Sequence, residues 1–352
     1  MHQQPEYGAD EHVVRATSGQ PLTLGRSSLK QEMTRRPFSH AITRSLARFI
    51  ALVSAFTLAS CDDFAERIAV RLFYREAVLP ENQVHKNLSY WSGAHADERK
   101  HRLDLYVPKE TAWRALIFVH GGGWRSGDKA LKFGGVDPYG NIGRFYAVCG
   151  IGVAVVNYRL QPAVTWREQV NDVARALAWV YRHAGDFGAD RRAIFLSGHS
   201  SGAQLAAFAA LNRESIREFG LPSRVPCGVI SVSGAPFDLA DSKTYELGTN
   251  PAIFEKPLRA GDRGDRWKYE ASSVNFITPS APPFLLLYGR WETKGLKRQN
   301  QVMHETLQAA GVHSRLVATP WEGHYLVVAA LSRPDKVAST AILGFIRETQ
   351  CS

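Results

Sequence analysis

Cysteine is scarce: four residues in 352, at positions 61, 149, 227 and 351. None stands at the close spacing that a thiolate metal site needs, so no metal or other cofactor is expected. Long apolar runs are also missing near the N-terminus. The stretch Phe49–Ala59 falls well short of the roughly 20 apolar residues of a spanning helix. Basic residues exceed acidic ones, 43 to 33, for a formal charge of +10. They form no Lys/Arg run and do not interleave with aromatic residues, which argues against a nucleic-acid groove and for a soluble basic surface. A weak attraction to anionic lipid or anionic substrate stays open. There is no internal repeat and no low-complexity tract. What is present is an ordinary globular composition, 45% apolar, long enough for one large domain.

The first 60 residues read as a leader and signal peptide. Residues 1–32 are polar and without period, and Met33 is expected to be the true start. Arg35, Arg36, Arg44 and Arg48 then precede the apolar run, the order of a positive n-region and an h-region. The run ends Leu58-Ala59-Ser60-Cys61, which resembles the lipobox of bacterial lipoproteins. That resemblance implies lipidation of Cys61 and an exported chain anchored to a bacterial membrane, on the periplasmic side or the cell surface. The competing reading is a buried helix with an incidental cysteine. Residues 61–85 read as a tether with one short helix, and 86–352 as the folded domain. Three cysteines remain in the mature chain, so at least one is free or paired between molecules. Whether Cys227 and Cys351 pair is left open, and Cys149 reads as a core residue.

Gly198-His199-Ser200-Ser201-Gly202 organises that domain. An apolar strand-like run, Arg192–Ser197, precedes it, and a helix-like run, Ala203–Leu211, follows. A serine between two glycines on a strand-to-helix turn is a nucleophile elbow. Further runs at Ala115–His120, Ile151–Tyr158, Val229–Ser233 and Phe284–Tyr288 suit strands covered on both faces. Arg102–Val107 alternates like an early antiparallel strand. Helices are expected at Trp166–His183, Leu296–Ala310 and Lys336–Glu348, and a strand at His313–Ala318. This alternation implies an α/β fold with a mostly parallel sheet and helices on both faces. The interval 237–281 breaks it, with Pro251, Pro257 and several glycines, and reads as a lid or binding loop.

From about Tyr90 onward the chain resembles an α/β-hydrolase of the bacterial esterase/lipase and feruloyl-esterase-like branch, with kynurenine formamidases nearby. The matching pieces are Leu103–Pro108, His120-Gly121-Gly122-Gly123-Trp124, Asn157–Leu160, the Ser200 elbow with Ala203, Ala281–Gly289 and Gly323-His324. The resemblance implies Ser200 as nucleophile, His324 as general base, and the N–H groups of Gly122, Gly123 and Ser201 as oxyanion donors. The family's late-strand motif carries an aspartate where this chain has Glu292, so Glu292 is expected to orient His324 from roughly 2.6–3.2 Å. Asp262, Asp265 and Glu322 are competing acids, and His304 and His313 competing bases. His120 reads as an organiser of the glycine loop. The expected substrate is a small or short-acyl ester, because no full lid domain stands between Cys61 and Tyr90. The oligomeric state is left open. The rival readings are an aryl formamidase and a non-catalytic binding lipoprotein on a hydrolase fold.

Overall fold

The computed structural model describes residues 62–132, 135–259 and 264–351, with the backbone alone for 62–67. The leader, Cys61 and Asp262 lie outside the described residues. The chain opens with helix α1 (Asp62–Phe73), followed by strands β1 (Val84–Ser89), β2 (Arg102–Tyr106) and β3 (Trp113–Val119). Then come α2 (Pro138–Val148), β4 (Ile151–Val156), α3 (Trp166–His183), β5 (Ala189–His199), α4 (Ser201–Leu211), α5 (Arg213–Glu218) and β6 (Gly228–Val232). The insert holds α6 (Ser242–Glu246), α7 (Ala252–Leu258) and α8 (Arg266–Glu270). The domain finishes with β7 (Phe284–Gly289), α9 (Lys294–Ala309), β8 (Ser314–Thr319), α10 (Leu326–Ala330) and α11 (Val337–Glu348).

The eight strands form one sheet in the order β1-β2-β4-β3-β5-β6-β7-β8. β2 pairs antiparallel with both β1 and β4, and every pairing from β4 to β8 is parallel. This is the α/β-hydrolase architecture. The continuous apolar runs are explained by burial on two faces. In β3, Ala115, Ile117 and Val119 join the core with α3, α4 and α9, while Leu116 and Phe118 join the core with α2, α10 and α11. A period of two in side-chain direction thus leaves no position for a polar residue from Ala115 to Val119.

α3 shows how local signals fix an element. Thr165 caps it: its hydroxyl accepts from Glu168 N at 3.4 Å, and the Glu168 carboxylate accepts from Thr165 N at 2.8 Å. This capping box satisfies first-turn donors. Val170, Val173, Leu177 and Val180 are buried on one face, each contributing about 1.5–3 kcal/mol.

Three parts differ from the sequence reading. Among its described residues the insert packs into the core. Phe237, Leu239, Phe254, Leu258 and Trp267 are buried in the core, and Gln299 of α9 fastens it by accepting from Phe237 N and Asp238 N at 2.6 and 2.8 Å. Residues 62–73 form the one short helix expected in the tether, but Val70 on it is 2% exposed, so one face of that helix is packed against the domain. Cys149 caps the C-terminus of α2 half-buried, where the helix ends and the chain turns at Gly150 (φ 84°) into β4. Cys227 and Cys351 form a disulfide across 124 residues, with Cα atoms 5.4 Å apart, and Cys149 is the free thiol among the described residues.

Candidate active site

Ser200 sits between β5 and α4 with φ 55° and ψ −124°, a conformation that costs a non-glycine residue on the order of 1–3 kcal/mol. The turn is held so tightly that its glycines have no room for side chains. A Cβ on Gly198 would lie 2.4 Å from the carbonyl of Gly202, and one on Gly202 would lie 2.3 Å from His120 O. The strain is held by the sheet: Ser200 N donates to Val232 O at 2.9 Å. α4 is buried on all sides, so the helix dipole behind Ser200 acts in a low-dielectric setting.

The imidazole beside Ser200 comes from the other end of the chain. His324 follows β8, and its Nε2 lies 3.0 Å from Ser200 Oγ. With Nε2 accepting from the hydroxyl, Nδ1 bears the ring proton. Nδ1 lies 3.6 Å from Glu292 Oε1, in the loop after β7. That is longer than the 2.6–3.2 Å expected from sequence. The Glu292 side chain is fully buried, and Oε1 also accepts from the hydroxyl of Ser233 at the end of β6. A second acceptor oxygen, Oε2, has no partner. Oε1 is therefore hydrogen-bonded to Ser233 alone, and His324 Nδ1, beyond hydrogen-bond reach of it, has no partner among the described residues. The two loops meet closely, since a Cβ on Gly289 would lie 2.3 Å from Glu322 O.

The glycine loop forms the remaining side. Gly122 has φ +133°, and a Cβ there would lie 2.1 Å from Ser126 O. Trp124 secures the loop: its indole N–H donates to Gln204 Oε1 at 3.2 Å, and its carbonyl accepts from Gln169 Nε2 at 2.7 Å. The N–H groups of Gly122, Gly123 and Ser201 meet no acceptor among the described residues. For Ser201 this follows from its place in the first helical turn. His120 is fully buried and stacks on Tyr158 with centroids 4.4 Å apart, and its Nδ1 contacts Gly121 O at 2.8 Å. Burial pushes its pKa down to about 4, so it is a neutral loop organiser.

The competing residues stand elsewhere. His304 pairs with Ser314 Oγ at 2.8 Å. His313 precedes β8, its carbonyl accepting from Phe284 N. Asp265 is exposed and faces Lys268 at 3.6 Å. Glu322 is buried, but its carboxylate accepts from Trp321 N at 3.1 Å. Sequence reasoning missed Ser233 and His199. His199, next to Ser200 in the chain, donates from Nε2 to His324 O at 2.8 Å. Burial first, and then the neighbouring His324, push its pKa down to about 3. A strand end at Ser233 was legible, but nothing in the spacing indicated where its hydroxyl points.

The assembly opens on a cavity of about 600 Å³ whose lining includes Ser200, His324, Gly122, Gly123, Val70 and Val328. The size suits a small molecule. A half-buried serine hydroxyl on a strained turn, in contact with an imidazole, beside unpaired N–H donors, can attack a carbonyl and hold the resulting oxyanion.

The BD-FAE family profile matches residues 103–307. Over 203 residues the chain is 29% identical to esterase LipC of Mycobacterium tuberculosis, covering 55% of this chain and 49% of LipC. It is 27% identical over 257 residues to isoprenylcysteine alpha-carbonyl methylesterase ICME of Arabidopsis thaliana, covering 69% of this chain and 56% of that protein. The chain thus spans about half the length of the curated relatives it matches. Among solved structures, esterase B of Lactobacillus rhamnosis superposes with a TM-score of 0.60 at 24% identity, covering 88% of this chain and 92% of that one. A Pyrobaculum calidifontis esterase superposes at 0.61 and 18% identity, covering 90% and 99%. These likenesses carry the α/β-hydrolase fold, and with the profile extending over more than half of its residues the chain belongs to the BD-FAE family.

Proposed function

We propose that the protein is a serine hydrolase that cleaves small or short-acyl carboxylic esters through an acyl-enzyme on Ser200. The observation that carries the reading is the 3.0 Å contact from His324 Nε2 to the hydroxyl of Ser200 on its strained elbow. In the first half-reaction His324 takes the hydroxyl proton as Oγ bonds to the carbonyl carbon. The oxyanion rests on the N–H groups of Gly122, Gly123 and Ser201. The C–O bond to the alcohol then breaks, and the alcohol leaves with the proton from His324. Water repeats the sequence on the acyl-enzyme, releasing the acid and restoring Ser200. Glu292 keeps the ring proton on Nδ1 and stabilises the imidazolium. The relatives named as esterases support esters over formamides.

The same proposal places the protein outside the cytoplasm, anchored through lipid on Cys61. The Leu58–Cys61 motif supports this. So does the Cys227–Cys351 disulfide, a bond that persists in oxidising compartments. The catalytic part is tested with a fluorophosphonate probe and p-nitrophenyl esters. Labelling at Ser200 with ester turnover is expected, and an unlabelled folded protein would refute it. The anchor is tested by mass spectrometry of membrane-extracted protein. A diacylglycerol-modified Cys61 is expected, and an intact peptide running from Ala59 through Asp63 would refute it.

A further inference from the structure

Val70 lies on α1, well ahead of the stretch that matches the family, yet it lines the cavity around Ser200. On that helix Ile68 and Leu72 are 47% and 78% exposed, while Val70 is 2% exposed. Two residues in either direction turn an α-helix by about 200°, so Val70 faces inward where its neighbours face out. The inward face meets α10, whose Val328 lines the same cavity.

The segment is fixed in place from both sides. Arg333 Nη1 donates to Phe73 O at 2.9 Å. Asn141 of α2, fully buried, donates from Nδ2 to Arg75 O at 2.7 Å and accepts from Ala77 N at 2.7 Å. Tyr74 Oη donates to Asp137 O at 3.3 Å. A wall held this way resists displacement by a bound molecule. The cavity lining combines Ser200, His324 and the glycine loop with the apolar side chains of Val70, Val328, Leu131 and Pro138, and with Lys132.

We infer that Val70 sets the limit on apolar bulk, α1 being the wall against which the non-reacting hydrocarbon part of the ester rests. The inference rests on the ester-hydrolase reading and adds a specificity-determining residue to it. The discriminating quantity is a ratio of kcat/KM values, which a purely structural role for Val70 leaves unchanged.

The test compares wild type with Val70→Ala, Val70→Ile and Val70→Phe in the full chain. One series is p-nitrophenyl acetate, butyrate and octanoate, which varies the acyl group. The other is methyl, butyl and octyl acetate, which varies the alcohol. The long-to-short ratio is expected to rise about tenfold in Val70→Ala and to fall about tenfold in Val70→Phe, the scale of a few methylenes gained or lost in an apolar pocket. Val70→Ile is expected between wild type and Val70→Phe, and it guards against a fold lost to the larger ring. A trend in either series supports the inference and shows which side of the ester meets α1. Equal ratios in all folded variants would overturn it. Wild type that turns over no ester and takes no fluorophosphonate would instead overturn the hydrolase reading, and the inference with it.

Discussion

His199 Nε2 donates to the carbonyl oxygen of His324 at 2.8 Å, so the residue next to Ser200 holds the backbone of His324. The carbonyl can only accept, which fixes the proton on Nε2 and leaves Nδ1 as a buried acceptor without a partner. His199→Ala removes this tie and lets the His324 loop shift. A misplacement of about 1 Å can cost on the order of 10²-fold, and a fall of roughly 10–10² in kcat with a smaller change in KM is expected. His199→Gln, which can offer an N–H at nearly the same reach, is expected to restore most of it. Equal kcat in all three proteins would show that the loop is held without His199.

Ser200→Ala is expected to lower kcat by about 10⁴-fold or more. His324→Ala should fall to a similar level, and the double variant little further, because the two act as a unit. Ester turnover at several substrate concentrations checks this. Activity within about tenfold of wild type in Ser200→Ala would remove the serine from the reaction.

Glu292 Oε1 accepts from the Ser233 hydroxyl and lies 3.6 Å from the Nδ1 of His324. Glu292→Gln keeps the volume but loses the negative charge that stabilises the imidazolium, so kcat should drop by roughly 10²–10⁴-fold. Ser233→Ala frees Oε1 for the ring and isolates the cost of the Ser233 hydrogen bond. A change within about tenfold is expected, small beside that of Glu292→Gln. If Glu292→Gln retains near-normal kcat, the orienting role belongs to another group.

The strands and long helices were legible because burial on two faces leaves continuous apolar runs, and because α3 carries a capping box and a one-sided apolar stripe. The elbow was legible through sterics, since only glycine fits at 198 and 202. α2 was not, because its two glycines obscure a helical pattern. They are there because a Cβ on Gly140 or Gly143 would collide with Asp137 or Tyr106. The role of Val70 was equally hidden, since packing of α1 on α10 joins segments more than 250 residues apart. Glu292 was singled out because it stands where the resembled family carries an aspartate after a buried strand, whereas its hydrogen bond with Ser233 depends on where β6 ends beside β7. The insert misled because proline and glycine mark irregular backbone without revealing that Phe254 and Trp267 are buried.

The Cys227–Cys351 disulfide ties the end of the chain beyond α11 to the start of β6. Cys351→Ser should lower stability by about 2–5 kcal/mol, as for loss of a native disulfide that closes a long loop. Ester turnover at low temperature should persist, because neither cysteine lines the cavity. Denaturant melts with and without reductant check the first part. A reductant that shifts Cys351→Ser as much as wild type would show that the bond is not the source.

Two buried histidines make the fold sensitive to mild acid. His120 and His199 have pKa values pushed down to about 4 and about 3 from 6.5, burial being the first cause in each. In the unfolded chain both titrate near 6.5. As pH falls below that value the unfolded state takes up protons that the folded state refuses, so stability declines. The decline runs from about pH 6.5 until the folded values are reached, at up to about 1.4 kcal/mol per pH unit for each ring. Asp172, whose pKa is lowered chiefly by its hydrogen bonds from His101 and Arg159 against the opposing effect of burial, adds its own loss only at lower pH. Urea midpoints at about pH 7, 6 and 5 should therefore fall before the carboxylates titrate. His199→Gln, which does not titrate, should shallow the slope by about half. A midpoint constant between about pH 7 and 5 would mean that the folded protein takes up these protons as readily as the unfolded chain.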